Sequence, residues 1–352
     1  MKHTLGIIAG GMSGEHEVSL QSAQSVLTAL DRKRFAPIII GVDKMGVWRE
    51  FSEDSWLDNP NDPKNISLSA HGKEMSITPQ PGILKKMGID VIFPLIHGSF
   101  GEDGTLQGLL EFMSVPYVGP DVAGSAMAID KDLTKRILSH AGLDVVPYIT
   151  LEAKSGVQHH PEEIWNSFSS TCFVKPSRCG SSLGISKVTS KDELTKAISL
   201  AFEHDDKVLI EKAIIGREVE CAVLDGVPQT ASIVGEVIPS DGFYSYEAKY
   251  IQNTTELKAP ADLEKEISDK IRETALKAFN ILGLEGMARV DFFYSEMGIL
   301  YINEVNTIPG FTKISMYPKL LELTGIPYTE LITRLVDLAL KRFERRLKLN
   351  KI

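Results

Sequence analysis

The first third of the chain alternates short apolar runs with stretches of helical periodicity, and this alternation constrains the fold more than any other feature. Leu5-Gly6-Ile7-Ile8-Ala9 is apolar at every position, as a strand buried on both faces must be, and it stops at Gly10 and Gly11. Over 18–30, Ala23, Val26, Leu27 and Leu30 recur at helical spacing. A second β-rich run covers 37–42, and "DVIFPLI" over 90–96 is a third, ending at His97-Gly98. Strand, helix, strand in this order predicts an α/β fold with an open parallel sheet, whose ligands bind beyond the carboxyl ends of the strands. Two loops leave those ends, "GGMSGEHEVS" and "HGSFGEDGT". The polar, Pro/Asn/Ser-rich stretch 52–82 reads as an insertion outside the core. At 352 residues the chain is too long for one core and is expected to divide into two or three domains.

The front loop is unusual for a turn of this kind. Its glycines suit a phosphate loop, yet they do not follow G-x-G-x-x-G, and Glu15 and Glu17 flank His16 where a phosphate would sit. Carboxylates there either cap the following helix or receive an ammonium ion. For Asp103 and Thr105 in the second loop, capping is the expected role.

Acids recur at the other end of the chain. In "ARVDFFYSEMGILYINEVN", 288–306, residues 295–298 form the turn of a predicted hairpin. If Tyr294 opposes Ile299, then Arg289, Asp291, Glu304 and Asn306 share one face, while Val290, Phe292 and Val305 face a core. Two carboxylates and an amide oxygen suit Mg2+, which keeps waters and phosphate oxygens among its ligands. An arginine beside them suits an anionic transition state. The alternative is a solvent-facing hairpin with ordinary ion pairs, but buried acids call for a cation.

Lys175 ends the strand "CFVK", and Ser177, Gly180, Ser181, Ser182 and Gly184 follow it. Small residues let main-chain N–H groups approach a phosphate while a lysine supplies charge, although no Walker loop exists here. Lys131 is a second candidate cation. Glu211 and Glu218 close and follow the strand "VLIE", where adenine and ribose could lie.

Taken together, "GGMSGEHEVS", "HGSFGEDGTLQGLLE", "KPSRCGSSLGISKV", "FYSYEAKY", "GMARVDFF" and "INEVNTIPGFTKISMYP" resemble, in order and over about 4–340, the D-alanine–D-alanine ligase family of the ATP-grasp superfamily, in its longer form. The resemblance implies three domains: 1–125 for substrate, a central unit over 126–215, and a catalytic unit over 216–352. ATP would lie between the two α+β domains, and a mobile lid would cover 235–260. It implies phosphorylation of one D-alanine carboxylate by ATP and attack of a second D-alanine amine on the acyl phosphate, for peptidoglycan precursor synthesis. In that scheme Glu15 binds the first ammonium group and His97 lies close by. Lys131 and Lys175 meet the ATP phosphates, Glu211, Lys212 and Ile214 surround adenine, and Glu218 takes the ribose. Ser181 and Tyr250 orient substrates and move a proton with Glu15. Lys249 reaches the γ-phosphate or the second carboxylate. Arg289 stabilises the transferring group with the Gly310 N–H. Asp291, Glu304 and Asn306 hold two Mg2+ ions, with Mn2+ as a substitute and K+ dependence open. Ser315 and the Met316 main chain hold the second carboxylate.

The resemblance also implies a homodimer. A net charge of −9 argues against a nucleic-acid partner, and no apolar run is long enough to span a bilayer, so a cytoplasmic protein is expected. Cys172, Cys179 and Cys221 form no C-x-x-C pair. Beside Arg178, Cys179 is either an activated or an inert thiol, and ATP is expected to shield it from alkylation. Competing readings are a ligase using D-lactate, opposed by Tyr250, another ATP-grasp carboxylate–amine ligase, opposed by "GEHEVS", and a nucleotide-binding regulator without turnover.

Overall fold

The computed structural model describes residues 2–155, 161–168, 171–238 and 256–349. Among them are three main sheets, each with its own helices. The first is built on the strand His3–Gly10, whose Leu5, Ile7, Ile8 and Ala9 are fully buried. It pairs in parallel with Phe35–Val42 and with Val91–Pro94. The predicted parallel sheet is therefore present at the centre. Its far edge is antiparallel, through Trp48–Phe51 and Lys73–Glu74.

That edge corrects the reading of 52–82 as lying outside the core. Lys73–Glu74 extends the sheet, and Trp56, Ile66 and Met75 are buried in the cores on its two faces. Their polar neighbours hid three anchoring side chains.

The second sheet is antiparallel, in the order Ser186–Val188, Cys172–Pro176, Lys207–Lys212, Tyr148–Glu152, with its own small core. The third runs Glu256–Lys258, Thr230–Ile238, Gly216–Leu224, Met287–Ser295, Leu300–Asn306, and the helix Lys265–Ile281 packs on it. Part of the stretch expected to form a lid belongs to this sheet. Glu236, Val237 and Ile238 pair with Lys258, Leu257 and Glu256, so both ends of 235–260 are sheet. The remainder, with Lys249 and Tyr250, lies outside the described residues.

The helix Tyr328–Leu347 returns to the first sheet. Leu331, Leu335 and Val336 join Leu5, Ile7 and Phe93 in one continuous core. No described helix is long and apolar enough to cross a membrane.

Candidate active site

The helix His16–Ala29 starts at Glu15, yet the Glu15 side chain makes no capping bond. Its carboxylate instead accepts a short hydrogen bond from the Ser181 hydroxyl, across from the first domain to the glycine–serine loop. Glu17 turns to the surface and pairs with Lys44 at 2.6 Å. Of the two front-loop glutamates, only Glu15 faces the cleft. Two glycines make room for it: a Cβ on Gly98 would stand 2.5 Å, and one on Gly180 2.9 Å, from Glu15 Oε2. Neither Asp103 nor Thr105 is the expected cap: Gly104 is the N-cap of Thr105–Phe112 without a side-chain bond, and Asp103 ties its own loop by accepting the Phe100 N–H at 2.8 Å and the Thr105 N–H at 2.9 Å.

Beneath Glu15 lies a buried polar layer. His97 Nδ1 is 3.0 Å from the Ile308 carbonyl, which can only accept, so Nδ1 carries the proton. Nε2 then accepts from the Ser22 hydroxyl at 3.0 Å, and Ser22 in turn accepts the Phe311 N–H. Burial holds His97 below the ordinary histidine range. With both nitrogens occupied, its ring joins the helix His16–Ala29 to the segment that follows the acidic hairpin. Glu102, which the sequence reading passed over, is bound by the Gly98 N–H at 2.7 Å and the Ile308 N–H at 2.9 Å. Burial, with the nearby Glu15 charge, pushes its carboxyl up to about 8.

The acidic hairpin forms as predicted, but by another route. Tyr294 opposes Leu300, one residue beyond the expected partner. Unbroken alternation from there would turn Glu304 and Asn306 into the core. A bulge at Asn303 restores them, so that Asp291 faces Glu304 and Arg289 faces Asn306. The two one-residue deviations cancel. The bulge also turns Asn303 and Glu304, consecutive residues, toward the same cavity.

On this face Arg289 grips Asp291 with two bonds of 2.7 Å, and its Nε lies 3.2 Å from Glu220. Asn306 donates to Asp291 at 2.9 Å, and Lys131 lies 3.4 Å from Glu304. Although burial opposes the charge, Asp291 and Glu220 raise the Arg289 pKa well above its ordinary value. Among the described residues no three histidine, cysteine, aspartate or glutamate side chains form a metal-holding group. Two carboxylates and an amide are hard oxygen donors that fit Mg2+, provided phosphate oxygens and waters complete its shell.

A cavity of about 310 Å3 adjoins the hairpin, lined by Lys131, Lys175, Glu211, Lys212, Ile214, Glu218 and Asn303, with Phe173, Ile185, Val237 and Phe293 as apolar walls. Ser181 and Ser182 hold left-handed backbone, φ 50° and 61°, which costs a non-glycine residue about 1–3 kcal/mol and is retained where function needs the loop's shape. Glu211 lines this cavity, but its carboxylate is engaged by Lys175 at 2.7 Å and Lys135 at 3.1 Å. Burial would raise the Glu211 pKa; the two ammonium groups outweigh it and hold the carboxyl low. Lys135 also escaped the sequence reading, although it stands one helical turn from Lys131.

Cys179 is not activated. Arg178 is taken up by Asp205 and Asp206, and burial with the Asp205 charge pushes the thiol up.

A smaller cavity, about 80 Å3, is lined together by Glu15, His97, Ser181, Arg289, Glu304, Asn306 and Gly310. Ser315 and Met316 line neither cavity. The Ser315 hydroxyl is bonded to Thr312, and the Met316 side chain is buried at the start of Met316–Leu323.

An open α/β domain followed by two sheets with a lysine-lined cavity and an acidic hairpin between them is the ATP-grasp architecture. Family models described as D-ala D-ala ligase N-terminus and C-terminus match residues 4–120 and 137–337. The D-alanine–D-alanine ligase of Proteus mirabilis is 47% identical, with 98% of this chain and 97% of that protein covered. The ligase of the same name from Coxiella burnetii superposes with a TM-score of 0.84 at 35% identity, covering 99% of this chain and 96% of that one. The VanG D-Ala:D-Ser ligase of Enterococcus faecalis gives 0.80 at 36% identity, covering 96% and 100%. This chain belongs to the D-alanine–D-alanine ligase family.

Proposed function

We infer that the protein is an ATP-dependent ligase that joins two D-alanines into D-alanyl-D-alanine for cell-wall synthesis, releasing ADP and phosphate. One observation carries the assignment of roles. The smaller cavity is lined both by Glu15, an acid suited to an ammonium group, and by Arg289 with the acidic hairpin, suited to a transferring phosphoryl group. A carboxylate held by its own ammonium on Glu15 would then face the nucleotide cavity that Lys131 and Lys175 line.

A carboxylate is a poor acyl donor, so its oxygen first attacks the γ-phosphorus and ADP leaves. The amine of the second D-alanine, having lost its proton, attacks the carbonyl of the acyl phosphate, and phosphate leaves. Arg289 answers the charge that develops in both steps, helped by the Gly310 N–H. Ser181, fixed to Glu15, orients the first substrate, with Tyr250 completing the set and moving the proton. Lys249 reaches the γ-phosphate or the second carboxylate, which the Ser315 hydroxyl, once released from Thr312, and the Met316 N–H would hold. Lys212, Ile214 and Glu218 hold adenosine, with Glu211 beneath the phosphate lysines. Asp291, Glu304 and Asn306 would hold two Mg2+, or Mn2+, which when bound neutralise phosphate charge. The water-poor cleft protects the acyl phosphate from hydrolysis. The enzyme works in the cytoplasm as a homodimer.

The test is phosphate release with Mg-ATP, offering D-alanine, L-alanine, and D-alanine with D-lactate or D-serine, and identifying products by mass. D-Alanyl-D-alanine forming one-for-one with phosphate, without depsipeptide, is the expected result. ATP turnover with no peptide product would overturn it.

A further inference from the structure

Lys135 is buried to 1% side-chain exposure, and no step of the reaction above uses it. It sits on the helix Lys131–His140, one turn after the phosphate lysine Lys131. Its ammonium is placed among three elements. It pairs with Glu211 Oε1 at 3.1 Å on the strand Lys207–Lys212 and donates to the Asn303 carbonyl at 3.1 Å on Leu300–Asn306. It also stands 6.0 Å over the Tyr148 ring. The other Glu211 oxygen holds Lys175 at 2.7 Å, and Lys175 lies 3.4 Å from the Asn303 side-chain oxygen. The four groups therefore close a ring, with Lys135 and Lys175 each touching both Glu211 and Asn303.

Asn303 is the bulge residue that turns Glu304 and Asn306 toward the phosphoryl-transfer face. Lys135 thus touches the main chain at the point where that strand departs from regular pairing. A buried ammonium is costly, and an apolar side chain would pack at this place with less penalty. Its three donors do what an apolar chain cannot: they fix the carboxylate that fixes Lys175, and they fix the bulge.

We propose that Lys135 is a positioning residue for phosphoryl transfer, tying the nucleotide-binding lysine of the second sheet to the metal-binding strand of the third. The idea rests on the site roles proposed above. Loss of the tie leaves Lys175 and Glu304 present but free to shift relative to each other, and displacements of this kind lower the rate steeply.

The test compares Lys135→Met, Lys135→Met with Glu211→Gln, and Lys175→Met. Each is measured for kcat, KM for D-alanine, thermal midpoint, and Mn2+ binding by electron paramagnetic resonance with ADP present. Lys135→Met is expected to lower kcat at least 10-fold and to weaken Mn2+–ADP binding several-fold, with KM for D-alanine changed less than 2-fold. Lys135→Met leaves Glu211 paired one-to-one with Lys175, whereas adding Glu211→Gln strips Lys175 of its buried partner, so the double variant should lose further kcat and Mn2+ binding. If the double variant keeps the kcat and Mn2+ binding of Lys135→Met, Lys175 is not positioned through Glu211 and the proposal fails. Normal kcat and Mn2+ binding in Lys135→Met alone would also overturn it. Should Lys175→Met keep full ADP and Mn2+ binding, the site assignment itself fails, which separates the two failures.

Discussion

At the scale of single residues, the site is a set of charges whose partners decide their roles. Arg289 is held between the buried Asp291 and Glu220 and is itself only partly exposed, so its charge is fixed and aimed before substrate arrives. Arg289→Met is expected to lower kcat about 10²–10³-fold, as removal of one transition-state donor does, with a smaller effect on KM for ATP; steady-state kinetics decides, and an unchanged kcat would remove Arg289 from the chemistry. Glu102 gives a pH prediction. Its folded carboxyl titrates at about 8 against 4.5 for an ordinary one, pushed up by burial and then by Glu15. The folded state therefore keeps a proton that the unfolded chain has released, and the stability this confers is complete below about 4.5 and lost as pH rises through about 8. The thermal midpoint of Glu102→Gln should be lower at pH 5, because glutamine cannot accept both the Gly98 and Ile308 N–H groups. Its deficit against the parent should shrink toward pH 8; parallel midpoint curves would contradict the shift. Cys179 should alkylate slowly at neutral pH, and more slowly still with Mg-ATP, because it lines the cavity proposed to hold the nucleotide. Equal rates with and without nucleotide would place the thiol away from ATP.

At the scale of elements, the placement of Lys131 depends on the start of its helix. Asp130 caps Lys131–His140 through the Asp132 and Leu133 N–H groups, both at 3.1 Å, and also binds Ser177 and Lys207. Asp130→Ala should cost about 1–2 kcal/mol for the cap alone, and more for Lys207 left with Asp132 only. Asp130→Asn keeps the cap and should cost less; chemical denaturation of both variants gives the order, and equal losses would show that the cap contributes nothing. The same scale shows what could be read from sequence. The strand His3–Gly10, the helices and the acidic hairpin were legible because period and composition agree along them. The bulge at Asn303 was not, because its signal is the burial of Ile302 and Val305 three apart, which only the folded sheet reveals. Glu15 was legible as an acid out of place in a glycine turn, but its bond to Ser181 joins residues 166 apart. Glu102 and Lys135 were missed for a related reason: a polar residue in a loop, as Glu102 is, or on an amphipathic helix, as Lys135 is, looks solvated until a neighbouring segment covers it. Trp56 and Ile66 show the converse, as apolar anchors diluted by polar loop.

At the scale of the whole molecule, the three sheets are not joined alike. The first and third units share one core, where Phe93 meets Phe311 edge-on with ring centroids 5.4 Å apart and the helix Tyr328–Leu347 covers the first sheet. Arg342 locks the join by donating to the Gly119 and Tyr117 carbonyls at 2.5 and 2.7 Å, with its guanidinium 4.5 Å over the Tyr117 ring. Arg34 adds a two-bond pair with Asp337 at the rim. The second sheet keeps a small core of its own and meets the rest of the molecule through polar contacts, Ser181 with Glu15, Lys175 with Asn303, and Glu211 with Lys135. Apolar joins of the first kind resist opening, whereas polar joins lining a cleft can part and re-form as ligands pass. It follows that residues 1–125, although they contain a complete sheet, leave Leu5, Ile7, Leu20 and Phe93 uncovered on one face when the C-terminal helix is missing. That fragment alone should bind a hydrophobic dye and show no cooperative thermal transition, whereas joining it by a flexible linker to 307–349 should restore one. Deleting the second sheet, 148–212, from the chain should by the same reasoning leave the shared core cooperative. A sharp, dye-free transition in the isolated 1–125 fragment would mean that the first domain closes its own core and that the C-terminal helix only rests on it.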